Sequence, residues 1–506
     1  MRLFLLSFLL VYSFLTSAQV DVKAIDKYIE QARKDWNVPG LSVAIVKDGQ
    51  VILSNGYGAK EIKKSDKVDG DTQFAIASNS KAFVASAIAK LIDEGKLDWK
   101  DKVREYLPYF SLYGEFESAE TTVEDLLCHR VGLGTYSGDV IWYKSERSAE
   151  EVVKRAQHVP QAYGFRDGYG YTNLMFITAG EVIRAVTGKT WAQYVTETFF
   201  EPLEMNNSIT STNDLLSNYA TPHKPTFDRG IIPIEWTNWD NMGAAGGIIS
   251  SSNDMAKWMI MNLNGGTWDD VKYFDKEQQN LMWTPHNNFK LSEGSKEAIP
   301  GRHFAGYGLG WSMIDYHGTL SVSHGGGYDG MYSRVMMIPD IKLGIVVLTN
   351  SMEGISTPLT YYIANQYLQK DMRDWSKEGL ERAKSDNDHK NKVMERRTLR
   401  VPDTEPSKGL QAFVGKYTDP MYGDITISLK NEILRMEFQD APKLGATLEH
   451  WHYNTFEIKW DEEHAWFDFG TVNFDLSNNQ KVLGMTFDVP NYDIFFEELE
   501  MKKIAE

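Results

Sequence analysis

Ser78-Asn79-Ser80-Lys81 is the most informative stretch of this 506-residue chain. A short apolar run, Phe74-Ala75-Ile76-Ala77, leads into it. After it, Phe83, Val84, Ala87, Ile88, Leu91 and Ile92 recur at spacings of three and four, the period of an amphipathic helix. With Ser78 opening that helix, Lys81 stands one turn later on the same face, within reach of the serine hydroxyl. A free serine hydroxyl is a weak nucleophile and needs a base beside it, so the placement points to acyl transfer through serine. Two residues at one spacing also arise by chance, and the surrounding chain has to decide.

Two further stretches supply that context. The first is Gly168-Tyr169-Gly170-Tyr171-Thr172-Asn173. A lysine ammonium nearby would favour the phenolate of Tyr171 and lower its pKa. Tyr171 could then take the serine proton and return it to a leaving group, while Asn173 donates to a substrate carbonyl. The second is His324-Gly325-Gly326-Gly327, which follows the strand-like Leu320-Ser321-Val322-Ser323. Glycines there let backbone approach a ligand closely, and their N–H groups can hold an oxyanion. Either stretch alone is equally a surface loop or a glycine-rich turn.

Further outward, residues 21 to 36 carry Ile25, Ile29, Ala32 and Trp36 at helical spacing. Leu41 to Val46 and Val51 to Leu53 flank Asp48-Gly49, a hairpin signal. Residues 95 to 230 are mostly helical. Strand character returns at Gly306 to Met313, Leu320 to His324, Ser333 to Ile338 and Gly344 to Thr349. Strands joined by short turns, with a helical insertion between two groups of them, predict an α+β fold around an antiparallel sheet. Residues 370 to 404 are highly charged and read as a solvated helical linker ending near Pro402 and Pro406. Beyond it, short aromatic strands such as Ile425 to Leu429, Leu434 to Phe438 and Thr455 to Trp460 predict a small antiparallel barrel or sandwich over 405–506.

In this order, the three stretches resemble the serine β-lactamase and penicillin-binding-protein superfamily, whose general pattern is S-x-x-K with S-D-N and K-T-G. The resemblance is to its class C β-lactamase, D-aminopeptidase and esterase branch, the peptidase family S12 type. Tyr171-Thr172-Asn173 stands where that branch has Y-x-N, and His324-Gly325-Gly326 where it has K-T-G or H-x-G. His129-Arg130-Val131-Gly132-Leu133, Gly246 to Ser251, Tyr307-Gly308-Leu309-Gly310-Trp311 and Leu348-Thr349-Asn350-Ser351 add to the match, which covers about residues 22 to 365 of a domain expected over 22–369. Gly415-Lys416-Tyr417 and His450 to Phe456 resemble the lipocalin-like C-terminal domain of some members.

The resemblance implies a five-stranded antiparallel sheet flanked by helices beside an all-helical subdomain. It implies Ser78 as the acylated nucleophile, with Lys81 and Tyr171 sharing its activation. Asn173 would orient the substrate, His324 would line the pocket, and the N–H groups of Ser78 and Gly327 would form the oxyanion hole within the Gly325–Gly327 run. Many β-lactamases have a lysine at the position of His324. A mostly neutral histidine attracts a substrate carboxylate less. The expectation is therefore an esterase or a D-aminopeptidase-like peptidase acting on small esters or amides. The alternatives are a β-lactamase or penicillin-binding carboxypeptidase, and a non-catalytic ligand binder or sensor.

A net charge of -17 argues against nucleic-acid and anionic-lipid partners. It leaves a small-molecule or peptide substrate as the expected partner, with homo-oligomerisation open. Arg2, the apolar run Leu3 to Leu15 and Thr16-Ser17-Ala18 read as a signal peptide over 1–18, so a periplasmic or secreted location is expected and no membrane anchor. Cys128 is the only cysteine, so no intrachain disulfide is available, and its apolar neighbours mark it as a buried hydrophobe. Thr187-Gly188-Lys189-Thr190 lacks the first glycine of a P-loop; Gly188 reads as a helix C-cap. His450 and His452 share a strand face without a third ligand. No cofactor or metal is expected.

Overall fold

A computed structural model describes residues 20–370, 373–386 and 388–504. The signal peptide expected over 1–18 lies outside them. The first helix, α1 (Val22–Asp35), buries Ile25, Ile29 and Ala32 and leads into the hairpin β1 (Gly40–Lys47) and β2 (Gln50–Gly58). Its turn is the expected one: Asp48 and Gly49 have φ of 53° and 79°, the positive pair that a tight hairpin of this twist requires. Then come α2 (Ser80–Asp93), α3 (Asn173–Thr187) and α4 (Ser252–Leu263). The second group of strands is β3 (Asn287–Asn288), β4 (Ala305–Tyr307), β5 (Ser312–Tyr316), β6 (Thr319–Tyr328), β7 (Met331–Ile338) and β8 (Leu343–Thr349).

These eight strands form one antiparallel sheet in the order β2-β1-β8-β7-β6-β5-β4-β3. Its central strands are buried on both faces. Ala44, Val46, Val346 and Leu348 face a core shared with α2 and α4. Val43, Ile45, Ile345 and Val347, one residue out of step, face α1 and the helix α5 (Ser356–Leu368), as the two-residue period of a strand dictates.

The sheet has eight strands where the resemblance implied five: the run read as one strand, Gly306 to Met313, folds back on itself into β4 and β5, and Asn287–Asn288 adds β3 at the edge. Gly310 turns the chain at φ 74°, and a Cβ there would meet the Lys81 carbonyl at 2.9 Å. This hairpin therefore packs directly on α2. The helical insertion is as expected, and α3 ends at Gly188, φ 71°, whose N–H caps the Arg184 carbonyl.

The charged stretch is helical but not solvated throughout. In α6 (Trp375–Ser385) its few apolar side chains collect on one face: Trp375 is buried, and the Trp36 indole donates to Ser376 Oγ at 3.0 Å. In α7 (Asp388–Thr398), Val393 packs with Trp451 and Phe469 of the C-terminal domain. That domain is a closed barrel of eight sequentially neighbouring antiparallel strands, β9 (Gly415–Asp419) to β16 (Met501–Lys503). Alternate residues such as Ile425, Ile427, Met436, Phe456, Ile458 and Phe474 are buried.

The barrel is bolted to the helical part of the first domain by buried charges. Arg147, 5% exposed, donates to Asp440 at 2.8 Å and to the Tyr422 carbonyl. Lys224, 1% exposed, meets Glu463 at 3.1 Å and also Asp468. Glu498 accepts from Ser137 Oγ and, at 2.8 Å, from the Gly138 N–H. Hydrogen bonds to charged groups contribute about 1.5–3 kcal/mol each, so the two domains form one body at this face.

Candidate active site

Ser78 lies in a single 3-10 turn, Ala77–Asn79, that runs into α2. Ala77 has φ 47°, a left-handed conformation unfavourable for a residue with a Cβ, and its neighbours hold it there. Phe74 and Ala75 pair with Ser250 and Ile249. Asn79 Nδ2 donates to Ser333 Oγ at 2.8 Å, and Ser333 Oγ donates to the Ile76 carbonyl at 2.7 Å. On β6, a Cβ at Gly326 would collide with the Ile76 carbonyl and Ser333 Oγ. Gly326 thus lets β6 lie against the serine turn.

Lys81 is fully buried. Its Nζ donates to Ser78 Oγ at 3.0 Å, Asn173 Oδ1 at 2.7 Å and the Ala245 carbonyl at 2.7 Å, three acceptors for three protons. Burial lowers its pKa to about 7, opposed by the negative charge of Asp139. Asn173 is oriented from its other side, where Nδ2 donates to Asp139 Oδ2 at 2.6 Å. Asp139 also accepts from the Trp142 indole at 2.8 Å, and burial pushes its carboxyl up to about 8.

The Tyr171 ring lies 4.8 Å from Lys81 Nζ. Its pKa is not lowered as the sequence suggested. Burial holds the phenol well above its ordinary value, with the nearby Tyr136 adding to it and the Ser78 side chain opposing. A lysine that is itself near neutrality supplies little charge to stabilise a phenolate.

His324 is not part of the pocket wall surface as expected. Its ring is tied down behind it, with Nδ1 2.6 Å from the Gly325 carbonyl and Nε2 2.9 Å from the Tyr307 hydroxyl. A carbonyl only accepts, so Nδ1 carries the proton and Nε2 accepts from Tyr307. Burial, with Lys81 nearby, lowers its pKa to about 3, and the ring is neutral.

Ser78, Asn173, Gly325, Gly326 and Gly327 line one cavity of about 500 Å3, with Tyr136, Asp139 and Arg334. Lys81, Tyr171 and His324 sit immediately behind these residues. The barrel supplies part of the wall through Trp466, Tyr492, Asp493 and Ile494. A Cβ on Gly327 would lie 3.3 Å from the Trp466 ring, so the barrel reaches over the glycine strand itself.

Asp139, Arg334 and the barrel residues were not legible as site residues, since no local pattern surrounds them. Tyr307 stood inside a matching stretch without a role. Cys128 is buried, as expected. His450 and His452 each bond backbone groups, the Tyr453 carbonyl and the Val401 N–H. Among the described residues no group of three or more His, Cys, Asp or Glu could hold a metal.

The Beta-lactamase family model matches residues 25–367, and a domain of unknown function, DUF3471, matches residues 399–503. Among curated proteins, unguisins hydrolase ungD of Aspergillus violaceofuscus is 26% identical over 461 residues, 84% of this chain and 80% of that protein. Protein flp of Staphylococcus aureus strain MW2 is 30% identical over 335 residues, 64% of this chain and 62% of that one. Among solved structures, an octameric penicillin-binding protein homologue from Pyrococcus abyssi shares the fold with a TM-score of 0.62 and 20% identity, over 96% of this chain and 100% of that one. A D-stereospecific amidohydrolase from Streptomyces sp. superposes with a TM-score of 0.56 and 22% identity, over 69% of this chain and 100% of that one. The match over two thirds of the chain, with the Ser78–Lys81 pair at its centre, places the protein in the beta-lactamase family, as one of its serine hydrolases.

Proposed function

We propose that the protein hydrolyses small esters or amides through an acyl-enzyme on Ser78, with Lys81 as the general base. The observation that carries this is the buried Lys81 amine, at about 7 and 3.0 Å from Ser78 Oγ. Above that pH it is a free amine and takes the hydroxyl proton as Ser78 Oγ attacks the substrate carbonyl. The backbone N–H groups of Ser78 and Gly327 hold the oxyanion. Tyr171, kept as a phenol, relays the proton to the leaving group. Asn173 keeps one amide hydrogen for the substrate while Asp139 takes the other. Water then attacks the acyl carbonyl, giving a proton to Lys81; the Ser78 Oγ–acyl bond breaks, Ser78 regains a proton and the acid product leaves.

Neutral His324 supports uncharged esters and amides. D-aminoacyl amides belong in the screen because the Streptomyces neighbour is described as a D-stereospecific amidohydrolase. A β-lactam or peptide C-terminus is the second reading. It is supported by Arg334, the single cationic side chain lining the cavity among the described residues.

Fluorophosphonate labelling should be lost in Ser78→Ala. Turnover of p-nitrophenyl esters and D- and L-aminoacyl anilides should exceed that of a chromogenic cephalosporin, and the reverse order would favour the second reading. Labelling without turnover of any substrate would mark a sensor. We further propose export after cleavage behind Ala18, which the mass of the mature N-terminal peptide tests.

A further inference from the structure

The barrel borders more than the catalytic cavity. A second cavity of about 340 Å3 shares Tyr332, Trp466, Tyr492 and Asp493 with it. Three separate parts of the chain build its far side. Phe227 comes from the tip between the paired segments His223–Thr226 and Gly230–Pro233, His389 from α7, and Phe467 from a barrel loop.

The rings form a row. Phe227 and His389 are stacked with centroids 5.8 Å apart and 16° between planes, and His389 lies 6.0 Å from Tyr492. Tyr492 is held by its bond to Asp388 at 2.6 Å. Phe227 is 47% and Tyr492 48% exposed, unusual for aromatic side chains that converge on one hollow. Among the described residues no lysine or arginine lines this hollow to meet an anion. Asp468 is paired with Lys224, burial pushes the Asp493 carboxyl up to about 7, and burial keeps His389 below its ordinary pKa. What remains is a ring-lined slot that borders the catalytic cavity across Tyr332, Trp466, Tyr492 and Asp493.

We propose that this slot is a remote subsite of the hydrolase, receiving an apolar aromatic side chain of a peptide substrate whose scissile carbonyl lies at Ser78. It rests on the serine-hydrolase reading above and deepens it: the preferred substrates extend beyond a single aminoacyl unit. Trp466 and Tyr492 separate the slot from the nucleophile, so a side chain on the cleaved residue itself does not fill it.

The test uses two matched series of peptide amides, in both enantiomers. One carries Phe or Gly one residue away from the cleaved bond on its acyl side, the other on its leaving-group side. p-Nitrophenyl acetate reports Ser78 chemistry alone. The expected result is that, in one series, kcat/KM favours Phe over Gly by about tenfold, the worth of partly burying one ring. Phe227→Ser and Tyr492→Ser, both at exposed positions, should each carry that preference most of the way to unity. The proposal is overturned if neither series favours Phe, or if the preference survives both substitutions. Absence of turnover of every substrate, p-nitrophenyl acetate included, together with absence of labelling at Ser78, overturns the hydrolase reading and the subsite with it.

Discussion

Replacing Lys81 with Met should give a protein that is inactive yet, at neutral pH, more stable than the wild type. Burial holds the Lys81 amine at about 7, against an ordinary value of 10.5. Between those values the unfolded chain binds a proton that the folded chain lacks, so wild-type stability rises with pH across the window. Below about pH 7 the wild type carries the whole penalty, about 5 kcal/mol at 1.36 kcal/mol per unit; above about pH 10.5 it carries none. Met fills the same space without an ionisable group. It also leaves Ser78 Oγ, Asn173 Oδ1 and the Ala245 carbonyl without a donor, at about 1 kcal/mol each. The balance is a gain of about 2 kcal/mol at neutral pH and a loss of about 3 kcal/mol in strong alkali, crossing near about pH 8. Urea unfolding of both proteins, followed by tryptophan fluorescence from about pH 6 to about pH 10, measures this difference directly. A difference that stays constant over that range would mean that Lys81 keeps its proton in the folded protein, and would refute the assignment of a neutral amine beside Ser78.

The same amine predicts the pH profile: kcat/KM should climb about tenfold per pH unit up to about 7 and then level off, and a profile flat from about pH 5 would contradict it. Tyr171→Phe should lower kcat roughly 100- to 10,000-fold with little change in KM, because the lost hydroxyl moves a proton and does not hold substrate; a change confined to KM would reassign it to binding. Gly326→Ala should destabilise the catalytic domain by about 1–3 kcal/mol and slow labelling of Ser78, since the new methyl group presses on the Ile76 carbonyl and Ser333. Wild-type labelling kinetics in that variant would show that β6 does not brace the serine turn.

Local chemistry made much of this protein legible in advance. Ser78 and Lys81 are three residues apart, so a turn of helix brings them together whatever else the chain does. The Asp48-Gly49 turn, the Gly188 cap and the strand-forming runs at Leu41, Ser333 and Gly344 act through backbone preferences written into a few neighbouring residues. Other features depend on contacts between distant segments, which no local pattern records. The strand expected from Gly306 to Met313 became a hairpin because Gly310 presses on α2. Tyr171 kept its proton because the surrounding core strips it of water; the same burial keeps His324 neutral, as expected. Asp139 entered the site through Asn173, and Trp466, Tyr492 and Asp493 entered it from nearly 400 residues downstream of Ser78, carried there by the docking of Arg147, Lys224 and Glu498 across the domain boundary. The sequence by itself determined the pairing of Ser78 with Lys81 and the plan of a sheet followed by a barrel, because those follow from spacing and periodicity. Only the tertiary structure decided which groups are charged and what closes the cavity, because desolvation and domain docking are properties of the packed whole.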